Sequence, residues 1–187
     1  GTLFGVNRLE HHIRSCSRNY TLPCYVLQLD IAGYFMHINR ELLYKKAMLL
    51  MDKIAVQKNE NGVRMAQTGR YKWIKDLLRV IIFHDPMEDA IFMGDPALRK
   101  GLPPSKSLLH SPPGCGLPIG NLTSQLFSNL YLNDFDNYIK RELKVKHYGR
   151  YVDDFYLVHN DPSFLKSLVS PIKNELKNKF GLDLHPN

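Results

Sequence analysis

Two aspartates, Asp153 and Asp154, stand between two strand-like runs, Val145 to Val152 and Phe155 to Val158. Apolar, β-branched and aromatic residues on both sides of so short a polar break predict two antiparallel strands joined by a tight turn. An aspartate pair at such a turn has a local explanation, because Asp tolerates the positive φ that tight hairpins need. A third carboxylate offers another. Asp30 lies at the end of a second buried run, Cys24 to Ile31, which starts just after Pro23 and is bounded by Gly33. Pairing this strand with the hairpin would bring Asp30 beside the aspartate pair. Three carboxylates that close cannot all stay ionised without a counter-charge, and a divalent cation is the usual one.

Carboxylates prefer hard, oxygen-binding cations, and Mg²⁺ takes one or two protein carboxylates together with substrate phosphates. Asp30 and Asp153 bridging two Mg²⁺ ions about 3.5 to 4 Å apart is an arrangement for in-line phosphoryl displacement, with Mn²⁺ as a possible substitute. One ion would lower the pKa of an attacking hydroxyl and the other would neutralise charge on the leaving pyrophosphate. Asp154 points to the opposite face if the strand continues, so its expected part is a supporting one.

The remaining elements give the fold class. Val6, Leu9, Ile13 and Cys16 fall at near-helical spacing over residues 5–19, with His11, Arg14 and Arg18 opposite. Asn39 is a strong N-cap for a helix to about Asp52, with Glu41 in its first turn. Residues 58–70, with Asn61-Gly62, read as a loop, and a helix from about Tyr71 to Phe83 ends at Asp85-Pro86. Residues 94–120 hold five of the twelve glycines and six of the eleven prolines, so an ordered loop or irregular hairpin is expected. Helical spacing returns from Asn121 to about Glu142. A last helix starts at Asp161-Pro162 and is closed by Gly181 after Phe180. The order predicts an α+β fold, an antiparallel sheet with helices packed on one face.

A net charge of +7 favours polyanionic partners. The excess is concentrated: residues 40–79 hold ten basic side chains, Lys45, Lys46, Lys58 and Lys72 among them, against four acidic ones. A solvated helical face and a nucleic-acid surface both fit that pattern. Tyr71 and Trp73 fit core packing better than base stacking. His11 and His12 read as surface residues. The three cysteines, Cys16, Cys24 and Cys115, have no CxxC or zinc-ligand spacing and are expected to be reduced thiols in a cytoplasmic protein. No apolar run is long enough to span a membrane.

Three segments in order carry a family resemblance. Tyr151-Val152-Asp153-Asp154-Phe155, Leu29-Asp30-Ile31-Ala32-Gly33-Tyr34-Phe35 and Leu117-Pro118-Ile119-Gly120-Asn121-Leu122-Thr123-Ser124-Gln125 together resemble the palm of a reverse transcriptase. Ile119 to Gln125 is similar to the IGxxxSQ pattern of bacterial diversity-generating retroelement enzymes, whereas group II intron and retron enzymes usually carry Gln-Gly and Ser-Pro there. The resemblance implies RNA-templated DNA synthesis from dNTPs on a DNA or RNA primer, with Asp30, Asp153 and Asp154 catalytic and the Ile31 carbonyl completing the metal shell. Gly33 and Tyr34 would present backbone N–H groups to the triphosphate. Phe35 would exclude a 2′-hydroxyl, although a core phenylalanine reads the same way. Gly120 would lie beneath the nucleotide or simply punctuate the helix. Ile119 stands where many relatives have a glutamine that contacts the sugar, and an aliphatic side chain cannot make that hydrogen bond, which implies low fidelity. Gln125 is a substitute contact or only a helix residue. Tyr151, Lys45, Lys46 and Lys72 are the expected nucleic-acid contacts.

Residues 20–38 and 121–187 would be palm and 39–120 finger-side. The fingers motifs ahead of Asp30 and a thumb after Asn187 are missing from this pattern. Both ends read as cut from something longer, and the chain alone is expected to polymerise weakly or not at all. A retron or group II intron enzyme, a catalytically silent RNA-binding scaffold and an unrelated metal-dependent phosphohydrolase are the competing readings. An accessory RNA-binding protein is a further possible partner.

Overall fold

A computed structural model describes residues 2–57, 64–88, 90–91, 93–94 and 101–186. Lys58, Asn61-Gly62 and residues 95–100 of the glycine- and proline-rich segment lie outside them. The chain divides into two compact units, residues 1–34 with 132–187, and residues 35–131. The fold class is α+β.

The first unit is built on a three-stranded antiparallel sheet of β1 (Tyr25–Leu29), β2 (His147–Tyr151) and β3 (Asp154–His159), in the order β1-β3-β2. Leu29 pairs with Phe155 and Leu27 with Leu157; on the other side Arg150 pairs with Phe155 and Tyr148 with Leu157. These residues share one face, because neighbouring strands keep their side chains in register across the sheet. That face is covered by α6 (Asn133–Asn137), α7 (Pro162–Glu175) and the π-helical turn Leu176–Phe180. Phe135 meets Phe155 and Phe180 edge to face, at ring separations of 5.3 and 6.2 Å. Asp161 caps α7 by accepting from the Ser163 N–H, Pro162 sits in its first turn, and Gly181 closes the turn with a φ of 67°.

Helices cover both faces of the sheet, where the sequence predicted one. α1 (Thr2–Cys16) packs on β2 and β3 from the side that carries His147, Gly149 and Tyr156. Its buried stripe is rotated from the predicted one: Val6 is exposed and His12 is only 7% exposed. The His12 ring lies 5.3 Å from that of His147, and its Nδ1 is 3.2 Å from the Tyr156 hydroxyl. A histidine can replace an apolar residue in this stripe because Tyr156 satisfies its ring nitrogen, which composition alone does not reveal.

Two measurements follow from this packing. Burial, then the charges of His147, Arg8, His11 and Lys140, push His12 down to about 4. The unfolded chain therefore takes up the proton first, and stability is complete above the ordinary histidine range and declines as the pH falls toward 4. Urea unfolding should show a loss of about 2 kcal/mol between pH 7 and pH 5. An unaltered pH slope in His12→Gln would refute the assignment. Gly149 lies opposite Tyr156, whose ring carbon Cε1 would be only 2.6 Å from an added Cβ. Gly149→Ala is expected to cost about 1 to 3 kcal/mol by displacing that ring. Tyr156→Ala should make the same substitution nearly neutral, and a full cost in that background would exclude the clash.

The second unit contains α2 (Tyr34–His37), which begins at the boundary, then α3 (Arg40–Ala55), α4 (Gly69–Phe83) and α5 (Leu122–Tyr131). Asn39 caps α3 as its residue type predicts, accepting from the Leu42 N–H at 2.8 Å. Arg40, 8% exposed, donates from Nε to the Gly116 carbonyl at 2.9 Å and faces Asp85 at 3.8 Å. The helix predicted from Asn121 to Glu142 is interrupted. α5 ends at Tyr131, Leu132 takes φ −93° and ψ 5°, and α6 is followed by a π-helical turn, Tyr138–Glu142. The apolar spacing runs across that break without marking it. Trp73 lies outside the core expected for it, 64% exposed on α4, while Tyr71 is half-buried with its hydroxyl donating to Asp52 of α3.

Among the described residues, no helix is long and apolar enough to cross a membrane. Cys16, Cys24 and Cys115 are free thiols.

Candidate functional site

The hairpin joining β2 to β3 has two residues in its loop, Val152 and Asp153, between the paired Tyr151 and Asp154. Its left-handed position is Val152, with a φ of 60°, and neither aspartate has positive φ. The positive φ that a tight hairpin needs therefore does not account for the aspartate pair. A β-branched residue at such a φ is a backbone outlier that the surroundings must hold in place.

The register supplies the convergence. Leu29 lies opposite Phe155, so one step further along Asp30 comes level with Asp154 at the same end of the sheet. Neighbouring strands are about 4.8 Å apart. Asp30 and Asp153 are half-buried, and Asp154 is exposed. Burial raises the Asp153 carboxyl above the usual carboxylate range, and the charges of Asp30 and then Asp154 add to it. The backbone N–H groups of Asp153 and Asp154 pull part of the way back. Like charge gathered at one sheet end favours a cation there.

Asp30 is fixed from its other side by the C-terminal segment. The Asp30 carbonyl accepts from the His185 N–H, and the Ala32 N–H donates to the Asp183 carbonyl, both at 2.8 Å. Ile31 bridges Leu184, yet neither bond uses the Ile31 carbonyl, so antiparallel alternation turns it toward the β3 side. A hard cation fits this all-oxygen set. Among the described residues, no group of three or more His, Cys, Asp or Glu side chains is gathered closely enough to hold an ion unaided. A Mg²⁺ ion held by one or two carboxylates, with water and phosphate oxygens in its remaining positions, does not require such a group.

The other predicted site residues are distributed over both units. Gly33 takes a φ of 55° ahead of α2, which suits a residue without a Cβ, and the Tyr34 side chain is buried in the core at 1% exposure. The Tyr34 side chain is thus part of the core and is not exposed to a ligand. Tyr151 is 56% exposed at the end of β2. Phe35, half-buried, begins the second unit, which also holds Ile119, Gly120 and Gln125 at the entry to α5. These last three are exposed, and Gly120 has a φ of 102°. Lys45 and Lys72 are exposed on α3 and α4, and Lys46 is half-buried.

A buried polar cluster under the hairpin went unread in the sequence. Arg150 donates from Nε and Nη2 to the two carboxylate oxygens of Asp136, at 2.9 and 2.8 Å, and from Nη1 to the Val152 carbonyl at 2.7 Å. The Tyr148 hydroxyl donates to Asp136 at 2.6 Å. Burial disfavours the guanidinium charge, but the Asp136 carboxylate outweighs it and the pKa of Arg150 is raised. The available signal was periodicity: Arg150 shares the strand face of Tyr148, and a charge on a buried face requires an acid partner.

Compared with protein-family models and with curated proteins, the chain matches none.

Proposed function

We propose that the chain carries the nucleotidyl-transfer centre of an RNA-directed DNA polymerase, a reverse transcriptase palm with part of the fingers. The observation that carries this reading is the β1–β3 register, which brings Asp30 to the end of the sheet occupied by Asp153 and Asp154. The positive φ of the hairpin also falls on Val152, so the need for that conformation does not explain the aspartates.

On this reading Asp30 and Asp153 hold the metal through their carboxylates and Ile31 through its carbonyl, while exposed Asp154 adds negative potential. Two Mg²⁺ ions bound there would lower the pKa of the primer 3′-hydroxyl and neutralise charge developing on the pyrophosphate. The N–H groups around Gly33 orient the triphosphate, and Phe35 selects against ribonucleotides. The basic α3 and α4, with Lys45, Lys46 and Lys72, contact template or primer phosphates, which makes binding steeply salt-dependent. Exposed Trp73 on α4 is available for stacking on an unpaired base.

Primer extension on a primed RNA template, by a longer protein that joins this chain to fingers motifs and a thumb, tests the reading. Mg²⁺-dependent incorporation of deoxynucleotides is expected, with Phe35→Ala admitting ribonucleotides. Mn²⁺ binding followed by electron paramagnetic resonance should weaken at least about tenfold in Asp30→Asn. Metal binding without nucleotide incorporation would favour a phosphohydrolase. Nucleic-acid binding with no metal dependence would favour a scaffold.

A further inference from the structure

We propose that Arg150 is a positioning residue for Asp153, its guanidinium holding the strained hairpin in the conformation that presents the carboxylate beside Asp30. The inference rests on the metal-binding reading of those two aspartates.

The guanidinium of Arg150 holds two different groups, the Asp136 carboxylate and the Val152 carbonyl. Two N–H groups grip Asp136 in a bidentate pair, which fixes the plane of the guanidinium. The third contact, Nη1 to the Val152 carbonyl at 2.7 Å, falls on the residue with a φ of 60° and on the peptide unit that leads directly into Asp153. An unsupported valine would leave that region of backbone space, and rotation there would redirect the carboxylate. The Arg150 side chain is 6% exposed, so its contacts are not diluted by solvent. Asp136 is oriented in turn by Tyr148. The cluster thus reaches Asp153 through one backbone carbonyl.

A lysine at position 150 keeps the charge opposite Asp136 but cannot direct three N–H groups in one plane. In Arg150→Lys, amide exchange over Tyr151 to Asp154 should accelerate about tenfold while Phe155 to Val158 stay as protected as in wild type. Mn²⁺ affinity should fall about tenfold in the same folded protein. Adding Val152→Gly, which adopts positive φ without strain, should recover part of both losses. Unchanged hairpin exchange, or acceleration spread equally through β3, would overturn the positioning role. If Arg150→Lys does not fold, Tyr148→Phe serves in its place: a smaller effect confined to the hairpin supports the proposal, and a uniform one overturns it. The two readings fail differently. Wild-type Mn²⁺ affinity unaffected by Asp153→Asn removes the metal reading, whereas Mn²⁺ binding that depends on Asp153 but is as tight in Arg150→Lys removes only this one.

Discussion

In a protein that joins this chain to fingers motifs and a thumb, Asp153→Asn is expected to reduce nucleotide incorporation by roughly 10³-fold or more and, in the chain itself, to raise stability in the absence of divalent ions. The two effects share a cause. The Asp153 carboxyl is half-buried, and burial together with the charges of Asp30 and Asp154 already works against its ionisation. An amide of the same shape removes that repulsion and keeps groups that can bond the backbone, so a gain of about 0.5 to 1 kcal/mol is expected at pH 7. The same change removes the anionic oxygen that a magnesium ion requires. Thermal unfolding with and without Mg²⁺ separates the effects: wild type should gain stability from the ion and Asp153→Asn should gain much less. A variant less stable than wild type without metal would mean that Asp153 is paired within the fold, and the functional reading would lose its physical basis.

Local chemistry was legible where one or two residues decide it. Asn39 ahead of α3, Asp161-Pro162 ahead of α7 and Gly181 after it act through their own backbone geometry, so residue type is enough to place them. The strands around Asp30 and the aspartate pair were legible for a related reason, since β-branched and aromatic runs between turn residues have few other uses. Their register was not. Pairing Leu29 with Phe155 is a long-range choice set by which face is buried, and the sequence permitted the meeting of Asp30 and Asp154 without fixing it.

The misread residues have a common origin. A polar residue in an amphipathic helix is ordinarily solvated, and only the contacts of His12 with His147 and Tyr156 reverse that. Trp73 is the opposite case, a large apolar ring left exposed on α4. The segment Asp183 to His185 carries no strand pattern, yet its backbone pairs with Asp30 to Ala32. Asp136 lies within the helical spacing from Asn121 to about Glu142, where residue type alone gives it no partner. Its role exists only once α6 lies against the sheet face carrying Tyr148 and Arg150. Residue type fixes what a side chain can do, and tertiary packing decides which partner it meets.

Asp136→Ala should strongly destabilise the first unit. It leaves Arg150, buried to 6% exposure, without its carboxylate and deprives the Tyr148 hydroxyl of its acceptor. Removing one partner of a buried ion pair costs about 3 to 5 kcal/mol, a large part of the roughly 5 to 15 kcal/mol that holds a domain together. A fall of about 10 °C in melting temperature is expected. The pair itself contributes far less than that loss, because desolvating two charges offsets most of their attraction. Replacing both, as Asp136→Leu with Arg150→Met, should therefore recover most of the stability. It should not restore the hairpin, because the Val152 carbonyl still lacks its donor and valine still occupies the left-handed position. Stability regained without metal affinity would separate the two roles of the cluster, fold and presentation of Asp153. If the double variant recovered both, the hairpin would be holding its own shape and the guanidinium would serve packing alone.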